Sequence, residues 1–264
     1  MTHQQIRALI DHAILIAGVI FMVGPLGFVI AASLSAGERS TAAYERLATQ
    51  GLGFSSDVTI WSMLANSLIV ALTLGVFKTL FAAIAAYALV YFRLRHAELI
   101  FFAVLLTLFL PLHARPIPTY LVSSQLGLSN SHAGLIIPVL ASGLGVLLFR
   151  QVLRQLPAEL AESARIDGAG PIRFLVDFVL PVSAPYLAAL FAIHFIEGWH
   201  QFLWPLMINS DEALTTIMRG IALVGIGSPE GLALTVMALL PPLVVVMVLG
   251  PVMARSMHID SANR

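Results

Sequence analysis

Six apolar stretches, each long enough to cross a lipid bilayer, follow one another along this sequence of 264 residues. A crossing takes about 20 apolar residues, and a helix satisfies its own backbone hydrogen bonds inside lipid. Because 59% of the residues are hydrophobic and only 11% are charged, an ordinary soluble domain is excluded. The sequence therefore predicts an all-α, polytopic membrane protein with six transmembrane helices. We place these spans at His12–Ser33, Ser62–Val90, Leu99–Leu121, Ala133–Leu153, Val182–Met207 and Leu232–Ala254.

The first stretch is predicted to be a retained anchor rather than a signal peptide. It is longer and more uniformly apolar than the h-region of a signal peptide, and it holds Gly24-Pro25 instead of a cleavage site. We expect one membrane domain over residues 1–264, with the first span and an outer loop in 1–59. The transmembrane core is expected over about 60–254, and a cytoplasmic loop over 155–181.

The arginines predict the orientation of the chain. With both termini in the cytoplasm, the inner segments hold nine arginines and the outer segments hold four, which agrees with the positive-inside bias. The outer four are Arg39, Arg46, Arg115 and Arg219. The inner nine are Arg7, Arg93, Arg95, Arg150, Arg154, Arg165, Arg173, Arg255 and Arg264. The formal net charge of zero argues against a nucleic-acid partner, and the absence of cysteine excludes disulfides and thiolate chemistry.

Leu156–Pro185 is a polar segment between two predicted spans, and it reads as a short helix, a glycine turn and a second short helix. Pro157 suits the first helical position, and Gly168 suits the position just past a helix end. Pro171 is predicted to open the second helix and Pro181 to stop it. The acids and arginines of the segment are Glu159, Glu162, Arg165, Asp167, Arg173 and Asp177. Such a pair is too short and too polar to cross a bilayer, so we expect it to lie on the membrane surface.

The same segment resembles the EAA loop of ABC-importer permeases, whose pattern is E-A-A, three residues, glycine, nine residues and I-x-L-P. Ser163 replaces the second motif residue and Phe178 replaces the isoleucine, two mild departures. The positions that match are Glu162, Ala164, Gly168, Leu180 and Pro181, with Asp167 before the glycine as in the carbohydrate-type branch. The resemblance implies that the loop couples the spans to an ATPase. The residues we assign to this coupling are Glu159, Glu162, Ala164, Arg165, Asp167 and Gly168.

The resemblance to the maltose-type permease family extends over nearly the whole chain. The stretches TLFLPLHARPIPTYLV, FRQVLRQLP and GWHQFLWPLMI are similar in particular to the second permease subunits of sn-glycerol-3-phosphate importers. This resemblance implies uptake of sn-glycerol-3-phosphate or a glycerophosphodiester across the plasma (inner) membrane. The implied partners are a second permease, two ATPase subunits, an extracytoplasmic binding protein and membrane lipid. The serious alternative is a permease of the same family for a neutral sugar or oligosaccharide.

The chain contains no G-x-x-x-x-G-K-[ST] motif, so it has no P-loop for ATP. If transport is driven by ATP, then ATP and Mg²⁺ bind to a partner ATPase and this chain carries no cofactor of its own. The polar segment would then sit in a cleft of the ATPase and pass its closure to the spans as a rigid-body movement.

Several polar residues at predicted membrane depth are candidates for a translocation pathway. The stretch EGWHQFLWPL has two possible interpretations. It could be an aromatic belt at the membrane interface. It could also line a gate or the pathway, with Glu197 as an acid at membrane depth. Lys78 could attract an anion or pair with Glu197, and Arg115 could attract an anion or reach the lipid headgroups. The candidate pathway residues are Lys78, His113, Arg115, Glu197, Trp199, His200, Gln201 and Trp204.

Other chemistries have little support in the sequence. The eight histidines lack the spacing of metal ligands, since His194 and His200 do not stack on one helix face. Ser129 and His132 have no acid in register for a hydrolytic triad, so no catalytic or metal site is predicted. A secondary transporter would usually show inverted repeats, and none is found.

The outer loops Leu34–Trp61 and Ile208–Gly231 could be disordered connectors or could receive a binding protein. Ala82 and Ala86 form a small-residue face that favours close helix packing.

Overall fold

A computed structural model describes residues 3–35, 41–50, 58–92, 94–110 and 114–262, with the backbone alone at 3–6, 8 and 255–262. Across these ranges the chain forms helices and turns without a strand, in agreement with the all-α prediction. The helices of the first half are α1 His3–Ser35, α2 Ala42–Thr49, α3 Ile60–Tyr91, α4 Ala97–Leu106, α5 Pro116–Gln125, α6 His132–Ile136 and α7 Gly143–Gln155. Those of the second half are α8 Ala158–Ile166, α9 Pro171–Phe174, α10 Leu180–Val182, α11 Ala184–Trp199, α12 Leu203–Ile208, α13 Ile217–Val224 and α14 Pro229–Ala262.

Three of the predicted spans are single long helices. The apolar parts Leu9–Ser35, Ile60–Tyr91 and Pro229–Ala254 have mean hydropathies of 2.6, 2.2 and 2.6, and they contain predicted spans one, two and six. Among the described residues these are the helices that can span a membrane unaided. Counting each bent helix pair as one span raises the number to five.

The other three predicted spans are interrupted rather than continuous helices. The apolar helix of the third span is short, Ala97–Phe109, and a new helix opens at Pro116. The fourth bends by 50° between residues 132–139 and 143–155, after a 3-10 turn that contains Pro138. The fifth is cut after Trp199, and α12 follows. Prolines and serine caps explain the breaks of the third and fourth spans, because they satisfy or remove the backbone N–H groups that a new helix leaves free.

The two predicted outer loops both contain helices. The first holds α2, whose Tyr44 shares a hydrogen bond of 2.9 Å with Ser33 of α1. The second holds α13, which packs against α3 and α14. Arg46 of α2 forms an ion pair of 2.7 Å with Glu230 of α14 and joins the two loops. They are therefore more than simple connectors.

Helix α3 is the central element, and it packs mainly against α11 and α7. Small residues allow this close approach, since a Cβ on Gly198 of α11 would lie 3.1 Å from the Cα of Ala71. The predicted small face is confirmed, because Ala82 and Ala86 are both buried. A Cβ on Gly145 of α7 would lie only 2.8 Å from that of Ala82. The three helices therefore meet almost backbone to backbone.

The packing at Gly145 can be tested by adding a single methyl group. We expect Gly145→Ala to lower the free energy of unfolding by about 1–3 kcal/mol, because the new Cβ would press on Ala82 and His194. Gly250→Ala is the matched control, since no atom lies within 4 Å of its Cβ position, and we expect it to be neutral or slightly stabilising. The measurement is the thermal unfolding of both variants. Equal midpoints would contradict the close approach.

Candidate functional site

The turn after α8 is held in a Schellman motif. The N–H of Ala169 donates to the carbonyl of Ala164 at 2.9 Å, and the N–H of Gly168 donates to that of Arg165 at 3.0 Å. Gly168 has a φ of +70°, a left-handed conformation that costs glycine little but strains other residues. The predicted helix–glycine–helix arrangement is therefore present, with Asp167 as the last residue before the turn.

Pro171 opens the second helix of the segment, as predicted, but the prediction that Pro181 ends it is wrong. The chain continues through a π-helical turn at Leu175–Val179 into α10. The wider π turn lets the chain continue although Pro181 has no N–H to donate. The break comes at Ser183, where Pro171–Val182 and Ala184–Trp199 meet at 82°. If α11 crosses a membrane, α9 and α10 lie nearly in its plane.

The loop, which we call the coupling segment (Ala158–Phe174), has one buried side and one exposed side. Ala164 is buried at 1% exposure against the rest of the chain. The side chains of Ile166 and Ile172 are 86% and 79% exposed, although both are large and apolar. The polar residues that share this exposed side are Glu159, Glu162, Arg165 and Asp167. A mixed polar and apolar surface of this kind is typical of a site that another protein covers.

Aromatic side chains at the end of α3 support the coupling segment. The hydroxyl of Tyr87 donates to the carbonyl of Pro171 at 2.8 Å. The ring of Phe174 lies edge-on to that of Tyr91, with 5.1 Å between centroids, and Phe92 lies edge-on to Tyr87 at 5.6 Å. A cleft of about 230 Å³ remains between these rings and α8. The segment is thus attached to the same helix that forms the centre of the transmembrane packing.

An ion pair joins α3 and α11 at the middle of α3. Nζ of Lys78 donates to Oε2 of Glu197 at 2.9 Å, which is the pairing considered from the sequence. The lysine side chain is 11% exposed and that of the glutamate is 41% exposed. A charge at the bilayer centre costs about 3 kcal/mol by insertion scales, so each charge stabilises the other. The open side of Glu197 leaves this pair accessible from one face.

His194 forms a second polar link, one turn from the ion pair, that the sequence analysis did not assign. Its Nδ1 lies 3.0 Å from Oγ1 of Thr79, and its Nε2 lies 2.8 Å from Oγ of Ser142. Ser142 also caps α7 by accepting from the N–H of Gly145. The available signal was a histidine three residues before Glu197 on an otherwise apolar helix. The imidazole therefore ties α3, α7 and α11 together.

The aromatic residues of the EGWHQFLWPL stretch lie inside the protein. Trp199 is 1% exposed, and its Nε1–H donates to the carbonyl of Ala238 in α14. Trp204 is 7% exposed and donates to the carbonyl of Gly134 in α6. His200 is exposed at the end of α11, and Gln201 is half-buried. Both indoles therefore contribute to packing between helices in this conformation, and a pathway role stays a prediction.

The remaining pathway candidates are placed separately. Arg115 is half-buried at the start of α5 and donates to the carbonyl of Thr107, which ends the helical run of α4. No carboxylate of the described residues forms an ion pair with it. His113 lies outside the described residues. Within the described ranges, no three histidine, aspartate or glutamate side chains are grouped as metal ligands would be.

Comparison with known proteins identifies a transport family. The family model for the inner membrane component of binding-protein-dependent transport systems matches residues 5–258. The chain is 38% identical to the sn-glycerol-3-phosphate transport system permease protein UgpE of Rhizobium meliloti (strain 1021), over 82% of this chain and 81% of the relative. It is 39% identical to the protein of the same name from Pectobacterium atrosepticum, over 90% and 92%. It is 42% identical to the protein of the same name from Salmonella typhi, over 80% of this chain and 76% of the relative.

The conformation of Gly168 can be tested by substitution within the coupling segment. We expect Gly168→Val to speed tryptic cleavage after Arg165 and Arg173 by about 5- to 30-fold, since a side chain in the left-handed region costs about 1–2 kcal/mol. Gly170→Val is the matched control, because its φ of −69° suits valine. Neither glycine has an atom within 4 Å of its Cβ position, so crowding does not distinguish them. Equal cleavage rates in both variants would contradict the motif.

Proposed function

This chain belongs to the family of inner membrane components of binding-protein-dependent transport systems, and from that membership we propose that it is one of two permease subunits of an ATP-driven importer. The substrate we propose is sn-glycerol-3-phosphate or a glycerophosphodiester. The relatives that carry sn-glycerol-3-phosphate transport in their names support this class. As a transport-system permease, the chain is a membrane-spanning transport subunit rather than an enzyme.

The observation that carries the proposal is the geometry of the coupling segment. Its outward side offers Glu162 and two exposed isoleucines, and its inward side is bonded to α3 through Tyr87. A partner that moves this segment therefore moves the helix around which the transmembrane domain packs. Because the chain has no P-loop, we assign ATP and Mg²⁺ to two ATPase subunits on the cytoplasmic side. The arginine distribution supports cytoplasmic termini.

The structure between the spans on the outer side supports one more partner, an extracytoplasmic binding protein. Helices α2 and α13 lie in the segments between spans on the side opposite to the coupling segment, and Arg46 and Glu230 join the first segment to α14. We assign this face to an extracytoplasmic binding protein that delivers the substrate. A second, different permease subunit would complete the pathway, and membrane lipid would cover the apolar outer faces. Helix α1 is the most exposed of the three long helices, since it contains an apolar window of 18 residues of which none is buried inside the chain.

Recruitment of the ATPase is the first test. An ATPase subunit is expected to co-purify with this chain, and Glu162→Lys is expected to reduce its recovery severalfold, because the charge of an exposed coupling residue is reversed. Asp11→Lys is the control, since it makes the same charge change at an exposed position near the start of α1. If an isolated homodimer transports without any ATPase, the proposed mechanism is wrong.

The charge of the substrate is the second test, and it separates an anion importer from a neutral-sugar importer. Lys78 is already neutralised by Glu197, whereas the acceptor of Arg115 among the described residues is a backbone carbonyl, which leaves its charge to an anion. We therefore expect Arg115→Gln to lower uptake of a phosphorylated glycerol compound more than Lys78→Gln does, without loss of assembly. Uptake by reconstituted complexes measures this. A wild-type complex that carries only neutral sugars would favour the alternative substrate.

A further inference from the structure

Arg219 on α13 is a buried arginine without a counter-charge among the described residues. It is 8% exposed, and its Nη1 donates to the carbonyl of Asp211 at 3.2 Å. Its Nε is buried and has no acceptor among the described residues. The carboxylate of Asp211 instead accepts from the N–H of Ala213 at 2.9 Å. Because a buried charge is costly unless it is paired, this guanidinium is suited to a further acceptor, which the described residues do not supply.

Further unsatisfied polar groups lie within ten residues of Arg219 in the sequence. Both side-chain polar atoms of Asn209 are buried without a partner among the described residues, as are the hydroxyls of Thr215 and Thr216. Asn209, Thr215 and Thr216 are 2%, 1% and 4% exposed. Buried polar atoms in folded proteins are nearly always hydrogen-bonded, so these atoms have the capacity to bind water or the polar groups of a ligand. Together with Arg219 we call these residues the outer polar cluster.

Hydrogen bonds connect this region to α3 and α6. Nδ2 of Asn66 donates to the carbonyls of Ala213 at 2.8 Å and of Thr215 at 3.2 Å. Oδ1 of Asn66 lies 3.2 Å from Nε2 of His132. The segment 210–213 is exposed, while residues 215–217 that follow it are buried. The outer polar cluster is therefore buried next to an exposed stretch of chain, and the Asp211 carbonyl in that stretch accepts from Arg219.

We propose that the outer polar cluster is a transient binding site for the phosphate group of the substrate on the extracytoplasmic side, with Arg219 as the residue that selects for an anion. The proposal rests on the proposed function. Arginine can donate to two phosphate oxygens at once, and amide and hydroxyl groups complete a set of donors for the third. The phosphate replaces the Asp211 carbonyl as the acceptor of Arg219. The acceptor oxygens of Asn209 and the two threonines suit the hydroxyl groups of a glycerol.

The first experiment measures uptake of sn-glycerol-3-phosphate by the complete transporter in liposomes. We expect Arg219→Gln to lower uptake at limiting substrate by about tenfold or more, since charge-assisted hydrogen bonds to phosphate are lost. Arg219→Lys keeps the charge, so its uptake is expected to lie between that of the wild type and that of Arg219→Gln. Arg7→Gln, which removes an exposed arginine near the start of α1, is expected to transport at the wild-type rate. Wild-type uptake by Arg219→Gln would overturn the proposal.

The second experiment does not depend on transport. It measures the melting temperature of the permease–ATPase complex, without binding protein, in inorganic phosphate and in chloride of equal ionic strength. We expect phosphate to protect the wild type more than chloride does, and the difference to vanish in Arg219→Gln. If phosphate raises the melting temperature of the wild type in this way but the complex does not import glycerol phosphate, the proposed substrate is wrong and the anion site is still supported. Equal protection of both proteins, or of neither, would overturn the site.

A third variant decides the outcome if Arg219→Gln does not assemble. Asn209→Asp keeps the size of the side chain and adds a carboxylate to the outer polar cluster. If Arg219 binds an anion, this variant is at least as stable as the wild type and imports the phosphorylated substrate several times more slowly, because the new charge repels phosphate. If Arg219 has a purely structural role, the variant gains stability and keeps wild-type uptake. That second result would overturn the proposal.

Discussion

The close approach of α3 and α11 is the contact on which the arrangement of polar groups in the membrane depends. Gly198 and Ala71 let the two backbones meet, and this sets one helix in register against the other. In that register Lys78 faces Glu197 and Thr79 faces His194. Between helices in lipid, van der Waals packing replaces the hydrophobic effect, so small residues at the contact bring the polar partners within hydrogen-bonding distance. Larger residues there would separate the charges and leave each of them alone in an apolar surrounding.

The broken helices are tied into the packing of the fold. Ser131 and Ser142 accept from the N–H groups of Gly134 and Gly145, so the new helices begin with satisfied ends. An interruption at membrane depth is tolerated where protein surrounds it. Because Ser142 also contacts His194, the start of α7 is bonded to the same pair of helices that carries the ion pair. The breaks are therefore integrated into the polar core.

Local patterns predicted local structure well, and the limits of prediction were set by contacts distant in sequence. Gly168 and Pro171 identify the turn and the second helix because each acts through its own backbone. Pro181 misled the prediction, since a π turn several residues earlier accommodates it. Lys78 and Glu197 were recognisable as partners because charges are rare in apolar helices. The burial of Arg219 was not predictable, because its cover comes from a polar stretch that resembles an ordinary loop.

The isolation of α1 has a consequence for how the protein is made. Its main packing partner in the chain is α14, and Arg46 near one end of the sequence pairs with Glu230 near the other. Chains are synthesised from the N-terminus, so α1 enters the bilayer long before the helix against which it packs. It therefore waits in lipid as a single helix while the centre of the protein assembles. Closure of the α1–α14 contact is then a late step of biogenesis, and until that step every side of α1 faces lipid.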